Sequence, residues 1–260
     1  MTIAAVNIAR LSKAATDNGF DLGLGRENDW LVFGSSQTKM RIWLSATVEP
    51  RFVAAASRTD VLSALDGHGE AWSSTLPAAA VGAYRLVDIA SLHRLLRRAF
   101  QLARTLPHAL LDAFNQQTAN LPRTTEAERL VVQRVGQDIF RRGLLEFWDG
   151  RCAITGLDVP ELLRASHIKP WADCATDGER LDVFNGLLLA PHVDALFDTG
   201  LITIAESGSV LCSTSLPPDT YSTLGLDGWL KVDGLDSMHE DYLPWHRAKV
   251  FRGANVTATE

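Results

Sequence analysis

The spacing of apolar and polar positions changes several times along the chain. Ile3 to Asn18 carries apolar residues at helical spacing and predicts a short amphipathic helix. Trp30 to Phe33 is a brief apolar, β-prone run, and GSSQ after it is turn chemistry. From Lys39 to Val48 the pattern alternates, with Met40, Ile42, Leu44, Ala46 and Val48 on one face, so these two runs predict a hairpin. RFVAAAS is a further strand candidate, and residues 67–82, with several Gly, Ser and Ala, read as loop. Ser91 is then the expected N-cap of LHRLLRRAFQLARTL. Its apolar stripe is Leu92, Leu95, Leu96, Phe100 and Leu102, and its polar side is His93, Arg94, Arg97, Arg98, Gln101 and Arg104. HALLDAFNQQ is another helix.

TANLPRTT reads as a linker, which puts a domain boundary near residue 122: an N-terminal α+β module over 1–121 and a second domain over 122–260. Thr125 and Glu128 fit the capping-box pattern and open a long helix through EAERLVVQRVGQDIFRRGLLEFW. Its buried side is expected at Leu130, Val131, Val135, Ile139, Phe140, Leu144 and Phe147. RCAIT reads as a short strand, GLDVPE as a turn, and LLRASHI as a strand that ends at His167 and is stopped by Pro170. After a polar loop, Asn185 and Gly186 make a turn into Leu187 to Leu189. Pro191 suits the first turn of a helix and Gly200 the position just past its end. LITIAESGSVLCS closes with a hairpin. The class is α+β.

Composition narrows the function classes. The chain has 260 residues, 46% hydrophobic and 22% charged, enough for one large or two modest cores and unlike a disordered protein. It has no apolar run long enough to span a membrane and no signal-peptide layout at its start, so the expectation is a cytoplasmic protein. The three cysteines, Cys152, Cys174 and Cys212, form no C-x-x-C pair, which argues against a disulfide framework and a four-cysteine zinc site. A net charge of −6 speaks against a nucleic-acid partner until its distribution is considered. Residues 1–120 hold 12 Lys and Arg against 10 Asp and Glu, whereas residues 121–260 hold 13 against 21. Phosphate affinity would then come from local basic patches or from the N-terminal half.

The candidate chemistry lies in residues 165–200, ASHIKPWADCATDGERLDVFNGLLLAPHVDALFDTG. His167 ends a strand, Asn185 starts the next segment, and His192 and Asp194 stand at the start of a helix. Taken singly, each has a plain structural reading: a core histidine, an Asn-Gly turn, a helix-cap group. Only their combination is informative, since the element order puts them where they could converge. CAITG, ASHIKPW and NGLLLAPHVDALFDTGLI resemble the HNH endonuclease family, closest to a restriction-type subgroup. The likeness runs from about Glu126 to Phe251 and includes GQDIFRRGLLEFWDGRCAITG and YLPWHRAKVF.

The resemblance implies a ββα-metal unit that hydrolyses DNA with one divalent cation. By that resemblance His167 is the general base and Asn185 orients it. Family members commonly carry a metal-binding histidine nine residues after the asparagine; here that position is Asp194, and His192 lies two residues earlier. Residues two apart on a helix point in different directions, so position favours Asp194 and residue type favours His192. Carboxylate oxygen suits Mg²⁺, with Mn²⁺ as an alternative. Ser166 stands where many members carry a metal-binding aspartate, and Asp198 lies one turn after Asp194. Lys169 and Arg164 are candidate phosphate contacts. Only Cys152 remains of the zinc knuckles of other members, so no structural zinc is expected. The implied products carry 5′-phosphate and 3′-hydroxyl ends. A single site cuts one strand at a time, so duplex cleavage implies a homodimer. Two other readings stand beside this one: a nuclease-like fold that only binds nucleic acid, and an anti-phage effector nuclease activated through its N-terminal half.

Overall fold

The computed structural model describes residues 3–47, 51–122, 124–217, 219–224, 231–232 and 234–253. Val48, the last residue of the expected alternating strand, lies outside them. The chain divides into two units, Met1–Leu106 and Pro107–Glu260.

In the first unit, helix α1 (Ala5–Asp17) precedes β1 (Leu22–Glu27), β2 (Trp30–Gly34), β3 (Ile42–Ala46) and β4 (Phe52–Ala56). A short α2 (Thr59–Ser63), a two-residue β5 (Glu70–Ala71), β6 (Gly82–Leu86) and α3 (Ile89–Thr105) follow. The strands form one antiparallel sheet in the order β1-β2-β3-β4-β6-β5. The expected hairpin is β2–β3, and RFVAAAS supplies β4. The stretch read as loop contributes β5 and the first residue of β6.

Both faces of this sheet are apolar, which the one-face alternation does not anticipate. Phe33, Ile42, Leu44, Phe52 and Leu86 are buried on one face. Trp30, Val32, Trp43, Val53, Ala55 and Ala83 form a separate cluster on the other, packed with Trp72, Leu76 and Ala80. Helix α3 starts earlier than expected. Asp88 is its N-cap, accepting from the amide of Ser91 at 2.7 Å, so Ser91 sits inside the first turn. Leu92, Leu95, Leu96 and Leu102 are buried as expected, joined by Ala99 and Ala103, while Phe100 is half-buried.

The second unit comprises α4 (Pro107–Thr118), α5 (Glu126–Phe147), β7 (Arg164–His167), α6 (Asp177–Leu181), β8 (Gly186–Leu189), α7 (Pro191–Asp198), β9 (Ile202–Ile204), β10 (Val210–Cys212), α8 (Asp219–Thr223) and α9 (Leu243–Lys249). The sequence boundary near 122 leaves α4 in the first module. In the structure α4 packs on α5 and α6, so the division falls before it. The capping box of Thr125 and Glu128 forms at the start of α5. The buried stripe of α5 is rotated from the expected one. Val132, Gly136 and Gly143 are buried with Ile139, Phe140, Leu144 and Phe147, whereas Leu130 and Val131 are exposed.

RCAIT is not a strand. Cys152 opens a tight turn in which Gly156 donates to the Cys152 carbonyl at 3.0 Å, and the Ala153 amide donates to Leu188 of β8 at 2.8 Å. The segment therefore meets the sheet at a single point. The Cys152 thiol is buried and accepts from the amides of Ala190 and Thr155 at 3.2 and 3.3 Å. β9 and β10 form the expected closing hairpin.

Candidate metal-nuclease site

Strands β7 and β8 form a two-stranded antiparallel ladder that pairs Arg164 with Leu189, Ser166 with Leu187, and His167 with Gly186. Every residue of β8 is buried, so both faces of the strand are covered. Helix α7 follows at once, with Pro191 in its first turn and Gly200, at φ +72°, just past its end. The unit is thus ββα, with helix α5 also packed on both strands.

Neighbouring residues of a strand point to opposite faces, and this sorts the candidate residues. The hydroxyl of Ser166, buried on β7, donates to Asp198 of α7 at 3.2 Å. The ring of His167 instead stacks on Phe140 of α5, centroids 3.9 Å apart, with Trp171 edge-on at 5.8 Å. His167 Nε2 donates to the carbonyl of Arg180 at 2.9 Å. A carbonyl only accepts, so Nε2 carries the proton and Nδ1 keeps the basic lone pair. Burial pushes the imidazole below its usual pKa, and the Arg180 carbonyl opposes that in part. The ring is therefore neutral at pH 7.

Asn185 is fully buried at the end of the β7–β8 connection. Its Oδ1 accepts from the Lys169 amide at 2.8 Å. Its Nδ2 donates to the carbonyls of Glu179 at 3.0 Å and Lys169 at 3.2 Å, with the Cys174 thiol at 3.3 Å. The Asn185 side chain thus grips the backbone of Lys169, two residues past His167, and the peptide that leads into Arg180. The hydrogen bond to the imidazole itself comes from Arg180. The Arg180 guanidinium knits the same loop, bonding Asp177 and the carbonyls of Trp171 and Cys174. Sequence reading did not single out Arg180 or Phe140 as partners of the histidine. A backbone carbonyl leaves no signature in residue type.

On α7, Asp194 is half-buried in the first turn, where the helix dipole favours a negative charge, and Asp198 follows one turn later. Partial burial raises the pKa of both. For Asp194, Ser166 and the charge of Arg164 oppose the rise; for Asp198, the negative charge of Asp194 adds to it and Ser166 opposes it. His192 is exposed on the second residue of the helix. Arg164 is exposed on β7, and Lys169 Nζ pairs with Glu179 at 2.9 Å. No group of three His, Cys, Asp or Glu able to hold a metal occurs among the described residues. The donor set is two oxygen-bearing side chains with a hydroxyl between them. Oxygen donors of this kind suit a hard divalent cation.

Residues 152–205 match the family model of the HNH endonucleases. The matched stretch spans β7, β8, α7 and β9, and it supports nuclease chemistry on DNA. No curated protein matches the chain. Among the described residues, no helix is long and apolar enough to cross a membrane.

Proposed function

We propose that the second unit is a divalent-metal-dependent DNA endonuclease with His167 as general base. The observation that carries this is the fixed tautomer of His167 within the matched segment: Nε2 is held by the Arg180 carbonyl and Nδ1 is left as the proton acceptor. A phosphodiester resists attack because its charge repels nucleophiles and its leaving alkoxide is poor. Nδ1 of a neutral imidazole can take the proton of an attacking water. Asn185 positions the base through the loop that presents Arg180. Asp194 is the metal ligand, with Asp198 and Ser166 beside it, in preference to the exposed His192. When bound there, Mg²⁺ supplies electrostatic stabilisation of the phosphate and of the departing oxygen. Arg164 is the better placed of the two phosphate candidates, because the Lys169 ammonium is paired with Glu179. The family resemblance favours a restriction or defence setting.

A second reading, a nucleic-acid-binding unit without cleavage, is favoured by one observation. His167 contacts α5 whereas Ser166 and the carboxylates sit with α7. Incubation of supercoiled plasmid with Mg²⁺, Mn²⁺ or EDTA, followed by end-group analysis, separates the two. Metal-dependent cutting that leaves 5′-phosphate ends supports the nuclease. DNA binding with no cutting under any of the three conditions supports the second reading.

A further inference from the structure

The face of the six-stranded sheet that carries the tryptophan cluster is roofed by residues 72–80 instead of by helix. The roof is pinned at both ends, by the Trp72 amide on the Ala83 carbonyl at 2.9 Å and the Val81 amide on Ala56 at 2.9 Å. Where it stops, the sheet opens into a cavity of about 1040 Å³. Its floor is one cross-strand row. Glu27 pairs with Trp30, Ser45 with Val53, Val53 with Arg85, and Arg85 with Glu70. Directly opposed residues project on the same face, so the row presents an indole, a hydroxyl, a small apolar side chain and charged groups together. Trp72 adds a second indole to the wall, Asp29 a carboxylate and Arg51 a guanidinium.

These groups define the occupant. Indole faces favour a flat ring. Hydroxyls and carboxylates around the indoles favour a ring with polar edges; Arg85 is paired with Glu70, so the positive charge facing an attached anion is that of Arg51. The volume exceeds that of a bare base and accommodates a whole nucleotide. We propose that this cavity holds a nucleotide by its base, with the base against Trp30 and Trp72 and the phosphate towards Arg51, since Arg85 is paired with Glu70. The nucleotide is either extruded from DNA, where it would select the target, or free in solution. The DNA source rests on the nuclease reading of the second unit; the free-nucleotide source does not.

The test is binding by the full chain in EDTA, where no cleavage is needed. One arm titrates dAMP, dGMP, dCMP, dTMP and 5-methyl-dCMP by calorimetry. The other measures the anisotropy of a labelled short duplex with one unpaired base against its fully paired counterpart. Two variants accompany each arm: Trp72→Ala, which removes an indole, and Thr75→Trp, which fills the mouth from an exposed roof position and keeps the wall. The expected result is saturable binding in at least one arm, weakened about tenfold or more in both variants. Preference for the unpaired duplex identifies DNA as the source, and mononucleotide binding alone identifies a free ligand. If Trp72→Ala fails to fold by circular dichroism, Thr75→Trp decides. No binding in either arm, or binding that the folded variants leave unchanged, overturns the proposal. Nucleotide binding in a protein that never cuts DNA overturns only the nuclease reading.

Discussion

Ser166 donates its hydroxyl to Asp198 across 3.2 Å, tying strand β7 to helix α7 beside Asp194. A neutral donor thus sits between two carboxylates whose pKa values are raised by burial, and for Asp198 also by the charge of Asp194. A cation bound there would relieve that repulsion. Mg²⁺ is therefore expected to raise the melting temperature of the wild type at pH 7, and Asp194→Ala to abolish the rise. Ser166→Asp, which restores the aspartate common in the resembled family, is expected to lower stability without metal and to enlarge the increment with it. Melting curves with Mg²⁺ and with EDTA check this; an unchanged increment in Asp194→Ala would remove that residue from the site.

The acid limb of cleavage should report His167. The base works only when neutral, and burial lowers its pKa from the usual value. The rate is expected to hold as pH falls past about 6.5, the ordinary imidazole value, and to decline only below it. A single-turnover pH profile at saturating Mg²⁺ provides the measurement. A decline centred above the ordinary imidazole value would contradict the assignment.

Asp182 makes a separate, structural prediction. Its carboxyl accepts from the Phe184 amide at 3.0 Å and the Tyr242 hydroxyl at 2.8 Å. Burial nevertheless pushes its pKa up to about 6, with the two hydrogen bonds opposing the rise. A raised folded-state pKa stabilises at low pH, where both states are protonated, and that contribution is lost as pH rises from the ordinary carboxylate range through about 6. His246 acts in the opposite sense. Burial lowers it to about 4, so its contribution is present above the ordinary imidazole value and is lost on acidification. The difference between wild type and Asp182→Asn isolates the first effect. Asp182→Asn should gain stability relative to wild type as pH rises from about 4 to about 6 and level off above that, followed by urea denaturation at each pH.

Gly186 pairs with His167 across the ladder, and its α-carbon faces α5. A β-carbon there would collide with Phe140 and lie 2.9 Å from Leu144 Cδ1. Phe140 is also the ring on which His167 stacks. Gly186→Ala is expected to cost about 1–3 kcal/mol by overpacking and to reduce cleavage further by shifting the base. Chemical denaturation and plasmid cleavage on the same preparation test both. A variant of wild-type stability would mean that Phe140 has room to move.

The parts of this fold written in local chemistry were legible in the sequence. Thr125 and Glu128 marked the start of α5, and Pro191 and Gly200 bracketed α7, because caps act through residues within one turn. Ser91 was misread because Asp88, three residues earlier, is an equally good cap and accepts the Ser91 amide. Which side of α5 is buried was misread at Leu130 and Val131 because apolar residues at Val131, Val132 and Val135 satisfy two overlapping stripes, and packing decides between them. RCAIT has strand composition but finds only a single bond to β8. In the site, the family motif pointed to His167 and Asn185, and left the metal position between Asp194, favoured by spacing, and His192, favoured by residue type. The carbonyl of Arg180 and the stacking of Phe140 are tertiary contacts that no local pattern encodes.

The most direct test of the nuclease reading compares wild type with His167→Ala on supercoiled plasmid in Mg²⁺, with an EDTA control. The account predicts nicked or linear product from the wild type only with metal, and a rate lower by about 10²–10⁴-fold in the variant. Cutting by a folded His167→Ala protein at the wild-type rate would contradict it.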